Sequence, residues 1–594
     1  MNSPLPIQAG GLVGVLRRHW PVVLLCVIAS FLLLKGLGRE HLWADEGDTA
    51  VLASSILKHG VPKAWDGVTF TDSDYGDRVN DRMVMVSHPW VQYYVCAASF
   101  FLLGETSFAA RFPFALAGLF TIVAVYGLVF RMTSERRAAF SAAFLLTIAA
   151  QFLIYSRQCR NYSLSMLLTL LLVLAFLRLT SRGGCAWFAA MAVLLFHTHP
   201  AAMAPIGVLG LLTLVYRPFF QYRRWFWIAI PIIVALTVPW LFMAREGYQE
   251  NVTIAGALAK VPRRLAQFFV ETSSVVSVFG WAALLAWIGI RNRPSVPVKN
   301  KGKNRESAPA ASRWFEPGEK NLLVLLAALL AGYAGLMAMT QSRMEMWVLG
   351  LRHVAAVIPL GAALTGLLIA KASGGSTKIC AAILIILAAT NLGRITPWTF
   401  MTEGSPHFDH SALVNVHSPE GWKNKLFRTK FVAFLDELWH PNPGAVNRIC
   451  NFLNENAKPD DILITNYAWE PVYFHTRLPQ GLKIMPHYPI YRAAVKYGLP
   501  DYVFSVEGCR WVVWRPVWEG YRDYEINSIL GELKQKGATI TQAATFPETG
   551  WENRENVHFR RFPKAGQLYK RPQPDVDVHI FRIDWPQAAQ SAAN

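Results

Sequence analysis

The feature that most constrains this chain is a succession of apolar runs, most of them close to twenty residues long, set apart by short polar stretches. A bilayer hydrocarbon core of about 30 Å takes roughly 20 residues of helix to cross, and within lipid each backbone N–H and C=O must be satisfied inside the segment. The runs fall at about 20–38, 108–130, 137–155, 162–179, 186–199, 201–216, 224–243, 267–290, 321–341, 348–370 and 378–396. A shorter run, 89–103, starts at Pro89 directly after His88. The composition agrees, with 53% apolar and only 16% charged residues over 594 positions. That balance belongs to a multi-spanning membrane chain rather than a large soluble one. The first run follows Arg17 and Arg18 and ends without a small-residue cleavage site, so it reads as a retained span.

A net charge of +19 raises nucleic-acid binding as a candidate. Much of that charge lies instead in short loops between apolar runs, where Lys and Arg set topology. With Arg17 and Arg18 in the cytoplasm, the clusters Arg131/Arg136/Arg137, Arg178/Arg182, Arg217/Arg223/Arg224, Arg291 to Lys320 and Lys371/Lys378 share that side, provided 89–103 does not cross fully. The expectation is therefore an α-helical polytopic membrane protein with about eleven crossings, up to thirteen if irregular ones are counted, and 89–103 as a half-inserted helix. No nucleic-acid partner is expected.

This orientation gathers four polar stretches on the outer side, about 39–88, 156–161, 244–266 and 341–352. The polar tail from about 400 joins them. The chain thus divides into a membrane domain, 1–400, whose first external loop is 39–88, and a soluble extracytoplasmic domain, 401–594. In the tail, apolar alternation and turn residues predict a helix at 444–456, strands at Ile462–Thr465 and Trp511–Trp514, a helix at 524–536 and a strand at Val576–Ile583, a small α/β domain. The seven cysteines form no CxxC pair, so a zinc or redox motif has no support. Cys450 and Cys509 fall in the tail, where pairing is left open.

Candidate chemistry concentrates at the outer membrane edge. Asp45 and Glu46 follow Leu42, Trp43 and Ala44 just past the first span, and membrane-edge carboxylates are functional candidates by default. The plainer alternative is that Asp45 or Asp48 caps the helix that follows. His88 precedes Pro89 and an aromatic stretch that also suits an interface belt. Arg111 stands at the outer end of a span, where it could snorkel to headgroups. Arg157 and Arg160 breach the positive-inside tendency, which points to an anionic partner such as a lipid phosphate, whose oxygens guanidinium forks match. Arg352 with His353 offers a second such position. His197 and His199 could touch a metal, but a Pro-kinked hairpin with satisfied polar groups is the stronger reading. The loop from Asp72 to Asp77 lacks the spacing and terminal Glu of a calcium loop. Metal residues are therefore unassigned, no cofactor is established, and a divalent cation stays open.

Five stretches, taken in order, carry a resemblance: Leu42 to Glu46, Ser87-His88-Pro89, Arg111 to Gly118, Tyr155 to Leu164, and Leu351 to Pro359. Together they resemble the GT-C membrane glycosyltransferases, above all the protein O-mannosyltransferases and the lipid A aminoarabinose transferases. The resemblance covers about residues 20–370. It implies a GT-C fold and transfer of a sugar from a polyprenyl-phosphate carrier to an extracytoplasmic protein, lipid or glycan. It further implies Asp45 as general base, with Glu46 as the second acid of the pair. His88, Arg111, Arg157, Arg160 and Arg352 are the candidates for the donor phosphate. Many relatives show two prolines where only Pro89 follows His88 here. A bacterial inner-membrane location is expected. The competing class is a transporter or flippase of a lipid-linked anion, but no internal repeat is visible.

Overall fold

The computed structural model describes residues 12–71, 78–244, 261, 265, 276–291, 314–339, 354–394, 429–440, 444–481, 497–516, 523–548 and 576–586. The Asp72–Asp77 loop, Arg352 and His353 lie outside the described residues.

Helices dominate. In chain order they are α1 (Leu12–Leu34), α2 (Ala44–His59), α3 (Val91–Leu103), α4 (Ser107–Thr133), α5 (Arg136–Thr147), α6 (Ala150–Ser156), α7 (Asn161–Phe176), α8 (Arg182–Thr198), α9 (Ala204–Val215), α10 (Arg223–Ala244), α11 (Val278–Arg291), α12 (Pro317–Met339), α13 (Val357–Ala372) and α14 (Thr377–Ala389). The C-terminal part adds α15 (Lys430–Trp439), α16 (Ala445–Asn456), α17 (Trp469–Thr476) and α18 (Asp523–Gln535). Its strands are β1 (Ile462–Thr465), β2 (Cys509–Trp514), β3 (Thr539–Glu548) and β4 (Val576–Asp584).

Each described apolar run is helical, but few helices have full membrane length. Among the described residues, Ser107–Thr133, Arg217–Ala244 and Pro317–Leu336 are long and apolar enough to cross a bilayer, and the bent pair α5–α6 would make a fourth. The expected 137–155 run is divided by a 66° bend between Thr147 and Ala150. There the Thr147 hydroxyl donates back to the Ala143 carbonyl at 2.9 Å, a bond that competes with the helix ladder and favours bending. Helix α3 has 13 residues, about 20 Å at 1.5 Å per residue, and leaves Phe101, Leu102 and Leu103 exposed. The chain is thus a largely helical, membrane-associated protein with a C-terminal sheet domain.

Small residues let the helices approach. Ala138, Ala139, Ala142 and Ala143 of α5 are fully buried. A Cβ on Gly366 of α13 would lie 2.5 Å from the Ala142 amide nitrogen. Close backbone contact of this kind holds apolar helices together where lipid removes the hydrophobic driving force.

The C-terminal sheet has strand order β1-β2-β4-β3, with β1 parallel to β2 and β4 antiparallel to both of its neighbours. Val578 and Ile580 of β4 enter a core with Ile449 and Leu453 of α16, and Ile583 enters another with Ile529 and Leu533 of α18. The sheet is covered on both faces, which is why the apolar alternation along β4 changes phase after Ile580. Cys450 and Cys509 belong to these two different cores, and both are free thiols.

This domain docks on residues 42–105 through α17. A Cβ on Gly47 would meet Pro471 Cδ and N at 2.5 Å, so glycine is the residue that permits the contact between α2 and α17. Tyr473 Oη donates to Asp66 at 2.5 Å, the Leu42 amide donates to His475 Nε2 at 3.2 Å, and Phe474 stacks on Phe100. Arg477 pairs with Glu105.

Candidate active site

Helix α2 starts directly after Trp43. Successive residues of an α-helix project about 100° apart, so Asp45 and Glu46 enter different surroundings. Glu46 is fully buried. Its Oε1 accepts from Arg111 Nε at 2.9 Å and from the Cys159 amide at 2.8 Å. Its Oε2 accepts from Arg111 Nη2 at 2.6 Å and from the Trp43 amide at 3.3 Å. The Asp45 side chain is 35% exposed. The helix cap is Trp43 and its side chain makes no capping bond, so neither Asp45 nor Asp48 serves as cap.

Arg111 completes that buried frame. Nη1 donates to the carbonyls of Leu37 (3.0 Å) and Glu40 (2.8 Å), and Nη2 to that of His41 (3.0 Å) as well as to Glu46. With Nε on Glu46, each N–H donor of the guanidinium is engaged. Arg157 Nη1 donates to the carbonyls of Leu32 (2.9 Å) and Leu33 (3.0 Å), closing the end of α1. Both arginines bind the chain at and just after the end of α1.

Arg160 stands differently. Its Nη2 is 3.8 Å from Asp45 Oδ2 and its Nη1 3.8 Å from Asp48 Oδ2, ion-pair distances beyond direct hydrogen bonding. Nη1 donates to the Asp45 carbonyl at 3.0 Å and to Thr49 Oγ1 at 3.2 Å. Nε is buried with no hydrogen-bond partner among the described residues. Burial pulls the Arg160 guanidinium down, and Asp45, Tyr162 and Asp48 push it above its ordinary value, so it stays charged. On the far side of Asp48, Arg78 Nη2 lies 3.5 Å from Oδ1. The result is a line of alternating charge, Asp45, Arg160, Asp48 and Arg78.

His88 is half-buried and its Nδ1 is 2.9 Å from Ser87 Oγ. His197 Nε2 meets the Leu236 carbonyl at 3.1 Å. Among the described residues no group of three or more His, Cys, Asp or Glu side chains could hold a metal ion.

Four contributors went unread in the sequence: Asp48 as more than a cap, Arg78, Thr49 and Glu470. Asp45, Asp48 and Thr49 carry a signal, since i, i+3 and i, i+4 spacing puts them on one helix face. Arg78 and Glu470 carry none, because long-range folding brings them in. Glu470 is 5% exposed. Burial and the nearby Asp48 push its carboxyl up to about 8, against the opposing pull of its own backbone amide, Trp469 and Arg78.

A family profile described as dolichyl-phosphate-mannose-protein mannosyltransferase matches residues 87–243, well under half of the chain. No curated protein sequence matches. The solved structure of ArnT from Cupriavidus metallidurans in the apo state aligns with a TM-score of 0.56 at 16% identity, covering 95% of this chain and 98% of that one. The same protein bound to undecaprenyl phosphate aligns with a TM-score of 0.55 at 15% identity, covering 94% and 98%. At such identity the likeness speaks for architecture alone: the chain shares the fold of ArnT from Cupriavidus metallidurans.

Proposed function

We propose that this chain is a membrane glycosyltransferase that moves a sugar from a polyprenyl-phosphate donor to an extracytoplasmic acceptor. The observation that carries the reading is the contrast between two adjacent carboxylates: Glu46 is closed into a buried ion pair, while Asp45 stays partly exposed beside Arg160. Asp45 takes the proton from an acceptor hydroxyl or amine. The acceptor atom attacks the anomeric carbon, the bond to the phosphate oxygen breaks, and the configuration inverts. The departing polyprenyl phosphate carries the electron pair, and Arg160 neutralises it through the Nε–Nη2 edge. Undecaprenyl phosphate bound to ArnT from Cupriavidus metallidurans supports a donor of this class.

Arg111 and Arg157 act in this reading as the frame that holds the first outer loop, Arg111 with its donors taken by backbone carbonyls and Glu46 and Arg157 through Nη1 on the carbonyls of Leu32 and Leu33. His88 is the remaining described candidate for the donor phosphate, and Arg352 is kept as a proposal from the sequence. The eleven-crossing topology, the inner-membrane location, the outer position of residues 401–594 and the acceptor class belong to the same proposal.

The test is Asp45→Asn in proteoliposomes supplied with a radiolabelled polyprenyl-phosphate sugar. Transfer falls by about 10²-fold or more with an unchanged melting temperature. Undiminished transfer overturns the proposal, and loss of lipid translocation with transfer intact assigns the chain to the transporter class instead.

A further inference from the structure

The helix Trp469–Thr476 is tied at several points to the residues that follow α1. It is bracketed by Ala468 at φ 48° and Arg477 at φ 59°, both left-handed positions filled by residues with a Cβ. Such a conformation is costly for L-residues and persists only where the surroundings impose it. The contacts to Asp66, Leu42, Phe100 and Glu105 described above supply that constraint. They press the first turn of the helix onto α2 at Gly47, where a Cβ would also lie 2.9 Å from the Glu470 carbonyl carbon. Glu470 therefore stands against the residue that precedes Asp48, buried, and inside the field of Asp48 and Arg78.

We propose that Glu470 is a positioning residue of the candidate site, supplied by the C-terminal domain: it is buried on the turn that packs against Gly47, the neighbour of Asp48, and governs how Arg78 and Arg160 are shared among Asp45, Asp48 and Glu470. The inference rests on the glycosyltransferase reading for its consequence, and on the contact between the two domains for its geometry. The charges that bear on the Glu470 carboxyl are those of Asp48 from α2 and Arg78 from the first outer loop, and the Trp469 side chain of its own helix hydrogen-bonds to it. Arg160 reaches Asp48 from the other side. While Glu470 is neutral, Arg78 pairs with Asp48, and Arg160 keeps its edge toward Asp45. When Glu470 ionises, a second negative charge competes for Arg78. Asp48 then draws on Arg160, whose hold beside Asp45 weakens. The C-terminal domain would in this way complete the site rather than merely cover it.

The experiment uses the full chain in lipid nanodiscs, wild type against Glu470→Gln, a neutral side chain of nearly the same size. Two readouts run from pH 6.5 to 9.5: binding of undecaprenyl phosphate followed by tryptophan fluorescence, and, without ligand, amide-exchange protection factors over residues 44–59. In the wild type, affinity drops fivefold or more as pH passes about 8, and protection of 44–59 declines over the same range. Glu470→Gln matches the wild type at pH 6.5 and stays level to pH 9.5 in both. Superimposable protection profiles for the two proteins overturn the inference. If the wild type binds no polyprenyl phosphate at any pH while the protection profiles separate, the positioning role stands and the proposed donor falls. Should the Gln protein fold poorly, Asp48→Asn replaces it, since it removes the competing charge from the other side. Its protection profile is then expected to stay level, and a wild-type-like decline overturns the inference.

Discussion

At the scale of the residue, two side chains of one chemical type divide into frame and function. Glu46 is a carboxylate out of water with four donors on it, two from one guanidinium. Breaking a buried pair by removing one partner is costly, about 3–5 kcal/mol, because the other charge stays buried. Arg111→Ala and Glu46→Ala are therefore expected to lower the melting temperature sharply, whereas Asp45→Asn leaves it near wild type. Thermal unfolding in detergent decides the point, and equal destabilisation by Asp45→Asn would count against the division. Glu470 gives a prediction in pH. Its folded value is near 8 against roughly 4.3 for an unfolded glutamate. Between those values the folded state binds more protons than the unfolded chain, so its contribution to stability declines as pH rises through that window and levels off above it. Glu470→Gln is expected to melt with the wild type near pH 4 and several degrees above it at pH 8. A difference independent of pH would contradict this. The sequence made Asp45, Glu46, Arg111, Arg157 and Arg160 visible as unusual charges. It did not separate their roles, because a run of adjacent acids says nothing of which helix face is covered until the covering chain is known.

At the scale of the element, the apolar periodicity placed helices correctly and their ends less so. Strand β1 and the helix from 445 agree closely with expectation, since turn residues bound them on both sides. Strand β3 escaped notice because Thr, Gln, Ala and Pro547 fill it, and it stands at the sheet edge, where a proline is tolerated. Helix α17 escaped because Glu470-Pro471 reads as a turn, while Pro in the first helical turn is equally favourable. The junction of α17 with α2 yields a further test. Gly47→Ala places a methyl 2.5 Å from the backbone of Pro471, which cannot yield as a flexible side chain would. The expected result is faster proteolytic release of the C-terminal domain and reduced transfer, and a wild-type cleavage rate would show that the junction adapts. The same junction stacks His41 on His475 with ring centroids 3.9 Å apart. Burial, His41, Arg111 and Arg477 hold His475 down to about 2, and burial with Arg111 holds His41 down to about 4. An unfolded histidine takes its proton near 6.5, so the stability of this contact is complete above that pH and is lost progressively as pH falls below it. Proteolysis of the junction is expected to accelerate from pH 6.5 down to pH 4.5, and a flat profile would remove the histidines from the account.

At the scale of the whole molecule, the two parts of the chain meet at the segment that follows α1. The division into membrane and outer domains came from a shift in composition, and it is kept as a proposal about topology. If the orientation is right, reporter fusions at about residue 305 act in the cytoplasm and those after Thr429 act outside. The opposite pattern would overturn the orientation and with it the outer position of Asp45. What the composition did not convey is interdependence. The bonds from Leu42, Asp66 and Glu105 to the tail span several hundred positions, and no local pattern announces contacts of that range.

The pairing of Glu46 with Arg111 has a consequence for how the protein is made. The counterion of this carboxylate lies 65 positions later in the chain, and another of its donors, the Cys159 amide, 113 positions later. During synthesis the acid leaves the ribosome long before either arrives. The acid therefore waits without its counterion until α4 has been made, which sets the earliest moment at which the first loop can close around it.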